Sequence, residues 1–447
     1  MALVVKNNMM AVNTLNTLNK NQSALSTSLK QVSSGMKING AVDDASGYAI
    51  SERMRVQIRS LDQDNQNTQN GNSMMKVAEG AVSSTVDILK TLKEKVINAA
   101  NDTNTDDDRL TIQKELNQSI DQINDNANIT FNGKYLVDGT HNQKVTATTT
   151  TFTNQAMSTA TEATSAMTAL LDRTGRNLNI HSQDTITVSY VNQGKTVTTS
   201  FKVSTCSFQD ILKSVSGAAG SGKMLSKISG VGKMATTVGA SSIIGTNVAG
   251  DTVYTASGES AISIYAAGTG VGNSIGGITF SITDTQGNIN KSANAVLDAF
   301  SETVRAQDNS QDNAMNFQIG TRANQAIRVG MTDMRAQALG LQGSDGSTLN
   351  ISTRDKANAA INVLDNAISK ALDQQTTIGA VQSRLNYTSQ NLTTASENVQ
   401  ASESTIRDAD MAKAMTNYTK NNVLMQAAQA MLAQANQSSS GVLSLLQ

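Results

Sequence analysis

Near the start of the chain the apolar positions recur at helical spacing. Leu15, Leu18, Gln22, Leu25, Leu29, Val32 and Met36 advance by alternating steps of three and four, the seam of a coiled coil. Gly35 and the pair Asn39-Gly40 interrupt it. A second rail, spaced by seven, runs Met54, Leu61, Thr68, Met75, Val82, Leu89 and Val96. A third runs Leu364, Ala371, Ile378, Leu385, Leu392, Val399 and Ile406, which predicts a helix of about 65 Å at 1.5 Å per residue. The phase then slips through Arg407-Asp408-Ala409-Asp410, and a last seam follows at Met411, Ala414, Tyr418, Asn421, Met425, Ala428, Leu432 and Ala435. Such a slip marks a joint between two bundles. Both arms are therefore built in two segments, and the pattern predicts 1–36 pairing with 411–447 and the long inner rails pairing together.

Between the arms the pattern changes to the alternation of strands. Ile186-Thr187-Val188-Ser189-Tyr190-Val191, the tetrapeptide Asn192-Gln193-Gly194-Lys195, and Thr196 to Val203 read as strand, turn and strand. A short helix is predicted over Phe208 to Val215, a second strand pair over Ile278 to Ile282 with a turn at Gln286-Gly287-Asn288, and a helix from Ala293 to Arg305. The Gly-rich stretch Gly268 to Gly277 reads as loop. The Thr- and Ser-dense tract around 145–165 reads as solvated loop or as a glycosylated surface. The predicted fold class is thus mainly α with a β-rich insert: a long antiparallel helical bundle or coiled coil formed by both chain ends, plus an α+β outer domain. The expected domains are 1–42 with 407–447 as an inner terminal coiled coil, 43–139 with 313–406 as a long-helix bundle, and 140–312 as a variable outer domain.

Composition sharpens this picture. There is no proline and no tryptophan, and aromatic residues make up 3% of the chain. Proline breaks helix interiors, so its absence permits very long helices, while few large aromatics make one dense globular core hard to build. With 35 basic and 36 acidic residues, nothing suggests a nucleic-acid partner. No stretch has the apolar length of a membrane span. The start, Met-Ala-Leu-Val-Val-Lys-Asn-Asn, lacks the leader of a secretory signal, so any export is expected to spare the N-terminus.

Candidate chemistry is sparse. Gly217-Ala218-Ala219-Gly220-Ser221-Gly222-Lys223-Met224 comes near a phosphate-binding loop. Met224 stands where that loop needs a magnesium-binding hydroxyl, and a flexible Gly-Ser loop is the better reading. Asp106-Asp107-Asp108, following Asn104-Thr105, reads as a helix start whose carboxylates offset the helix dipole. Cys206 is the lone cysteine and excludes an intrachain disulfide. His141 and His181 have no ligand-type neighbours in sequence and read as loop or surface residues. No catalytic, cofactor or metal residues are expected, and the chain is not expected to be an enzyme.

The tails point to self-assembly. The last seam is thin, with Ala at several core positions and a polar Asn421, and it ends in Val442-Leu443-Ser444-Leu445-Leu446-Gln447. Two such helices bury too little to be stable alone. The expected polymerisation interface is Leu15, Leu18, Leu25, Leu29, Val32, Met36, Met411, Tyr418, Met425, Leu432, Val442, Leu443, Leu445 and Leu446.

Ser33-Ser34-Gly35-Met36-Lys37-Ile38-Asn39, Ala41-Val42-Asp43-Asp44-Ala45-Ser46-Gly47 and Ala49-Ile50 closely resemble the N-terminal signature of bacterial flagellin. Glu79-Gly80-Ala81, Phe131-Asn132-Gly133, Ala380-Val381-Gln382-Ser383-Arg384-Leu385, Leu432-Ala433-Gln434-Ala435-Asn436-Gln437 and Val442-Leu443-Ser444-Leu445-Leu446 fit the same family. The similarity covers about 1–139 and 313–447. It implies a homopolymeric filament for swimming motility, extracellular, with the terminal helices lining a channel and the insert projecting outward. It also implies unfolded type III export, a chaperone on roughly 405–447, a cap protein and a hook-junction protein. A hook–filament junction protein of the same flagellar family is the alternative, and complete signatures at both ends favour the filament subunit. An enzyme displayed through the insert would need a metal or nucleophile constellation in 140–312, and the sequence offers none.

Two departures stand out. Lys37 replaces the usual arginine of the N-terminal signature and keeps its charge. On the face that strongly recognised members present to the vertebrate innate immune receptor, an Arg and a Leu map to Thr91 and Lys95, while Glu94 and Glu115 match. Weakened receptor docking is the expectation.

Overall fold

The computed structural model describes residues 8–158, 161, 165–211, 243–247, 249–254, 261–266 and 268–445. Helix α1 (Met9–Ser34) ends at Gly35, whose N–H donates to the Gln31 carbonyl at 2.9 Å. Helices α2 (Ala45–Ala99) and α3 (Asp106–Ala127) follow. Late in the chain come α5 (Arg354–Arg407) and α6 (Met411–Leu445). The phase slip at 407–410 is the gap between α5 and α6, and the interruption near 35–47 is the gap between α1 and α2. The rail read on α2 points inward: Thr68 is buried, and Met75, Val82, Leu89 and Val96 are fully so. On α5, Leu364, Ala371, Ile378 and Leu385 do the same.

The chain divides into two units. The first comprises Met1–Gln69, Gln318–Ala326 and Asn386–Gln447. In it α1 runs antiparallel to α6, and the early part of α2 runs antiparallel to the late part of α5. Ser389 Oγ donates to Asn65 Oδ1 at 2.7 Å, and Ser396 Oγ to Asp62 Oδ1 at 3.2 Å.

The second unit comprises Asn70–Phe317 and Ile327–Leu385. Its helical part sets the rest of α2 against the early part of α5, with Gln382 Nε2 donating to Glu79 Oε2 at 2.7 Å and Lys93 paired with Asp365. Helix α3 starts where the acidic triplet predicts. Thr105 Oγ1 accepts from the Asp108 N–H, and Asp108 Oδ2 accepts from the Thr105 N–H at 2.9 Å, a reciprocal capping box. Arg109 is buried one turn on. It donates to the Ala99 carbonyl at 2.8 Å and the Asn101 carbonyl at 3.0 Å, satisfying groups that the end of α2 leaves open.

The β part of this unit holds the short hairpin β1 (Thr130–Phe131) and β2 (Lys134–Tyr135), then β3 (Thr151–Asn154), β4 (Thr185–Asn192) and β5 (Lys195–Lys202). After them come β6 (Ile243–Thr246), β7 (Thr252–Tyr254), β8 (Ile262–Tyr265), β9 (Ile275–Thr283), helix α4 (Lys291–Leu297), β10 (Phe300–Val304), β11 (Met315–Gln318) and β12 (Ala326–Val329). Two antiparallel three-stranded sheets have the orders β5-β4-β9 and β10-β3-β8. Their core includes Phe152, Ile186, Val188, Tyr190 and Phe280, with the Phe280 and Phe300 ring centroids 5.6 Å apart.

The hairpin read at 186–203 is β4–β5, turned by Gln193 and Gly194 at φ 48° and 74°. Four readings of the insert and its border change. The tract around 145–165, read as solvated loop or glycosylated surface, contains β3, whose four residues are buried as the middle strand between β10 and β8. The helix expected over 293–305 stops at Leu297, because Phe300–Val304 pairs with β3 as an edge strand. Gly276 and Gly277 belong to β9 instead of a loop. A Cβ on Gly277 would lie 3.2 Å from the Val363 backbone nitrogen, so glycine lets this strand approach α5. The segment 315–353 forms β11, β12 and loops, so the C-terminal arm is helical only from Arg354. Ile278–Ile282 is strand as read, but its return past the 286–288 turn amounts to a single bridge, Thr283 with Ile289. The helix read from Phe208 is described to Ile211, and the Gly217–Met224 loop lies outside the described residues.

Candidate functional site

The terminal helix pair is the part of the chain least able to bury itself. Asn8 caps α1, its Oδ1 accepting from the Ala11 N–H at 3.0 Å, and the same side chain donates through Nδ2 to the Ala435 carbonyl at 3.0 Å. Further along, Asn21 Nδ2 reaches the Leu424 carbonyl at 3.3 Å and Asn421 Nδ2 reaches Ser28 Oγ at 2.9 Å. These bonds fix the antiparallel register. Among the described residues of the pair, the buried positions are small: Ser28 on α1, and Ala414, Ala428 and Ala435 on α6.

Leu18, Leu25 and Val32 lie half-buried on α1, as do Tyr418, Met425 and Leu432 on α6. Leu15 and Leu29 do not join them, because the buried row steps through Ser28 and leaves the adjacent row outward. Leu29 stays 52% exposed and Met411 44%. Of the nineteen large apolar side chains that are exposed among the described residues, five sit on α1 and five on α6. Val423 and Met431 are among them. Such concentration marks a surface built to be covered. Helix α6 runs to Leu445, while the side chains of Val442, Leu443 and Leu445, and all of Leu446, lie outside the described residues.

The joint below this pair was not legible as a site. Met36, half-buried, forms a bridge with Asp408. The Lys37 N–H donates to the Arg407 carbonyl at 2.7 Å, and the Ala409 N–H to the Gly35 carbonyl at 2.9 Å. The Arg407 side chain is buried between them. It donates to Glu52 Oε1 at 2.6 Å and Ser51 Oγ at 3.2 Å, and its guanidinium carbon lies 5.5 Å from the Tyr48 ring centroid. That hydrogen bond holds the Glu52 carboxyl below its ordinary value. A lone arginine beside a phase slip was the available signal.

In the second unit, Thr91 and Glu94 are exposed on α2. Lys95 pairs with Glu115 of α3 at 3.0 Å. His141 Nδ1 lies 3.2 Å from the Asn313 carbonyl, His181 is exposed, and Cys206 is half-buried. Among the described residues no group of three His, Cys, Asp or Glu side chains could hold a metal ion, and no helix is long and apolar enough to cross a membrane.

Residues 5–142 match the family model for the bacterial flagellin N-terminal helical region, and residues 361–446 match that for the C-terminal helical region. A flagellin of Clostridium tyrobutyricum is 33% identical over 436 residues, covering 97% of this chain and 99% of its own length. The chain belongs to the flagellin family. A flagellin of Bacillus subtilis strain 168 is 30% identical over 463 residues, covering 99% of each chain. A flagellar junction protein solved from Legionella pneumophila aligns at 14% identity and a TM-score of 0.32, over 80% of this chain and 99% of its own. That likeness is too loose to carry an argument. This flagellin is a subunit of the flagellar filament, from a family of structural proteins, and the family implies self-polymerisation.

Proposed function

We propose that this flagellin polymerises through α1 and α6, and that its filament is the extracellular propeller of a swimming bacterium. The supporting observation is the row of large apolar side chains left outside a helix pair whose most buried positions are Ser and Ala. Leu18, Leu25, Val32, Met36, Tyr418, Met425 and Leu432 hold the pair together, while Leu15, Leu29 and Met411 face neighbouring copies. Val442, Leu443, Leu445 and Leu446 extend the same interface. Each such side chain gains about 1.5–3 kcal/mol when covered, so folding of the terminal pair and association reinforce each other.

The finer roles follow from this assembly. The chain leaves the cell unfolded by type III export, with a chaperone holding 405–447 until delivery beneath a cap, above a hook-junction protein. The filament carries no catalytic role of its own. Outer, long-helix and inner domains at 140–312, 43–139 with 313–406, and 1–42 with 407–447 give its radial order. Docking of the vertebrate innate receptor is weakened, since Thr91 lacks a cation and Lys95 is engaged by Glu115.

Leu15→Asp and Val423→Asp test the interface directly. Both sites are exposed, so the monomer keeps its helicity by circular dichroism while the critical concentration for polymerisation rises about tenfold or more, 1.4 kcal/mol per decade. Unchanged polymerisation of both variants would place the interface elsewhere.

A further inference from the structure

The loop between α1 and α2 is a rigid turn with an apolar tip. The Asp43 N–H donates to the Gly40 carbonyl at 3.1 Å, and Asp43 Oδ2 accepts from the Asn39 and Gly40 N–H groups at 3.0 and 3.2 Å. Asp44 Oδ1 accepts from the Ser46 and Gly47 N–H groups. Ile38 anchors the loop in the interior. Val42, at the tip, is 100% exposed. Nothing in this turn requires a branched apolar side chain in water. Each aspartate also keeps one carboxylate oxygen outside these turn bonds.

The second unit carries a cleft of complementary chemistry. A cavity of about 360 Å³ is lined by Met74, Met315, Phe131 and Phe317, with Lys134 and His141 also in its lining. No carboxylate lines it. The Phe317 ring is seated over Gly71 of α2, where an added Cβ would meet the ring at 3.0 Å, so that wall is firmly placed. This hollow of mixed lining, with Met and Phe side chains beside Asn132, Asn313 and Asn316, suits one apolar side chain accompanied by carboxylates.

We propose that this cleft receives the Val42 turn of a second copy of the chain. The inference rests on the self-assembly reading and adds a contact outside the terminal helices. Two features commit it to a second copy. Knob and socket are made of different residues, so their contact is heterologous, the kind that propagates into an open helical polymer. Their charges also match: Asp43 and Asp44 follow the knob, and Lys134 lines the socket. Leu110 and Met411 are likewise exposed and follow aspartates in sequence, but both lie within helices, where no turn projects them. Because the turn is already fixed by its own hydrogen bonds, docking it costs little further ordering.

The test uses full-length chains with Cys206→Ser, one carrying Val42→Cys and the other Lys134→Cys. Mixed, polymerised and gently oxidised, they should give a disulfide-linked dimer containing one chain of each kind, absent from unpolymerised mixtures. Filaments that form normally but yield no mixed dimer overturn the proposal and leave the self-assembly reading intact. Failure of the unsubstituted chain to polymerise removes both. Val42→Asp is the second arm. With its site fully exposed, it should leave the thermal midpoint of the monomer unchanged and raise the critical concentration about tenfold. Polymerisation at the original critical concentration also overturns the proposal.

Discussion

Arg407 donates to Glu52 Oε1 at 2.6 Å across 355 residues of sequence, from the last residue of α5 to the second turn of α2. The two breaks that divide the arms are thereby one structure: the strand-like bridge of Met36 with Asp408 lies beside the same guanidinium. Arg407→Ala should loosen this joint, lowering the thermal midpoint by several degrees and opening the 35–44 loop to protease. Arg407→Lys should recover only part, since an ammonium cannot reach Ser51 and Glu52 while also stacking on Tyr48. Glu52 sets the pH behaviour. Its folded value lies below the ordinary 4.5, so the pair's contribution is present above 4.5 and is lost as pH falls through the lowered value. Proteolysis of the loop along a falling pH series checks this, and a wild-type cleavage rate that never approaches that of Arg407→Ala would contradict it.

Glu302 gives the opposite sign in the second unit. It lies on β10, where the pairing with β3 is irregular, with Arg305 Nε at 3.7 Å. Lys370 of α5, itself buried, donates to the Ala338 carbonyl at 2.6 Å. Burial dominates and pushes the Glu302 carboxyl from 4.5 up to about 7, against the opposing pull of Arg305 and Lys370. A raised acid favours the folded state at low pH, and that stability declines as pH rises from about 4.5 to about 7. Asp298, pushed up to about 6 by burial, acts in the same direction. Calorimetry across this window should show the midpoint of the second unit falling, with Glu302→Gln flattening the fall. An identical slope in that variant would mean that Glu302 is not its source.

Gly194 leaves no room for a side chain. Its φ is +74°, and an added Cβ would lie 2.6 Å from the Ser347 carbonyl oxygen. Left-handed strain of about 1–2 kcal/mol adds to a clash with backbone that cannot swing aside, for a total loss of about 2–4 kcal/mol in Gly194→Ala. Urea denaturation monitored by the insert's tyrosines measures it. A loss under about 0.5 kcal/mol, within the range of ordinary surface substitutions, would show that the β4–β5 turn moves freely.

The helical half of the molecule was readable because burial imposes a strict period. Met75, Val82 and Leu89 repeat at seven and end up with no exposure. At the thin terminal seam the signal was weaker. Leu15 and Leu29 share the spacing of Leu18 and Leu25, yet the core prefers Ser28, because close helix approach selects small side chains that hydropathy does not flag. In the insert, Ala293 to Leu297 has the helix that its sequence suggests, but Phe300 and Val304 go to a strand whose partners lie about 150 residues away. The joint at Arg407 was legible from the phase slip, but the role of the Arg407 side chain was not, for the same reason. Its partners, Met36, Tyr48, Ser51 and Glu52, are contiguous with it only in the folded chain.

Polymerisation of purified full-length protein beside a chain lacking residues 411–447, followed by electron microscopy and circular dichroism, tests the central claim most directly. Coupled folding and assembly predicts long filaments with a gain in helicity for the full chain, and a truncated chain that stays monomeric. Equal filament formation by the truncated chain would contradict it, because the outward face of the α1–α6 pair would then not be what holds subunits together.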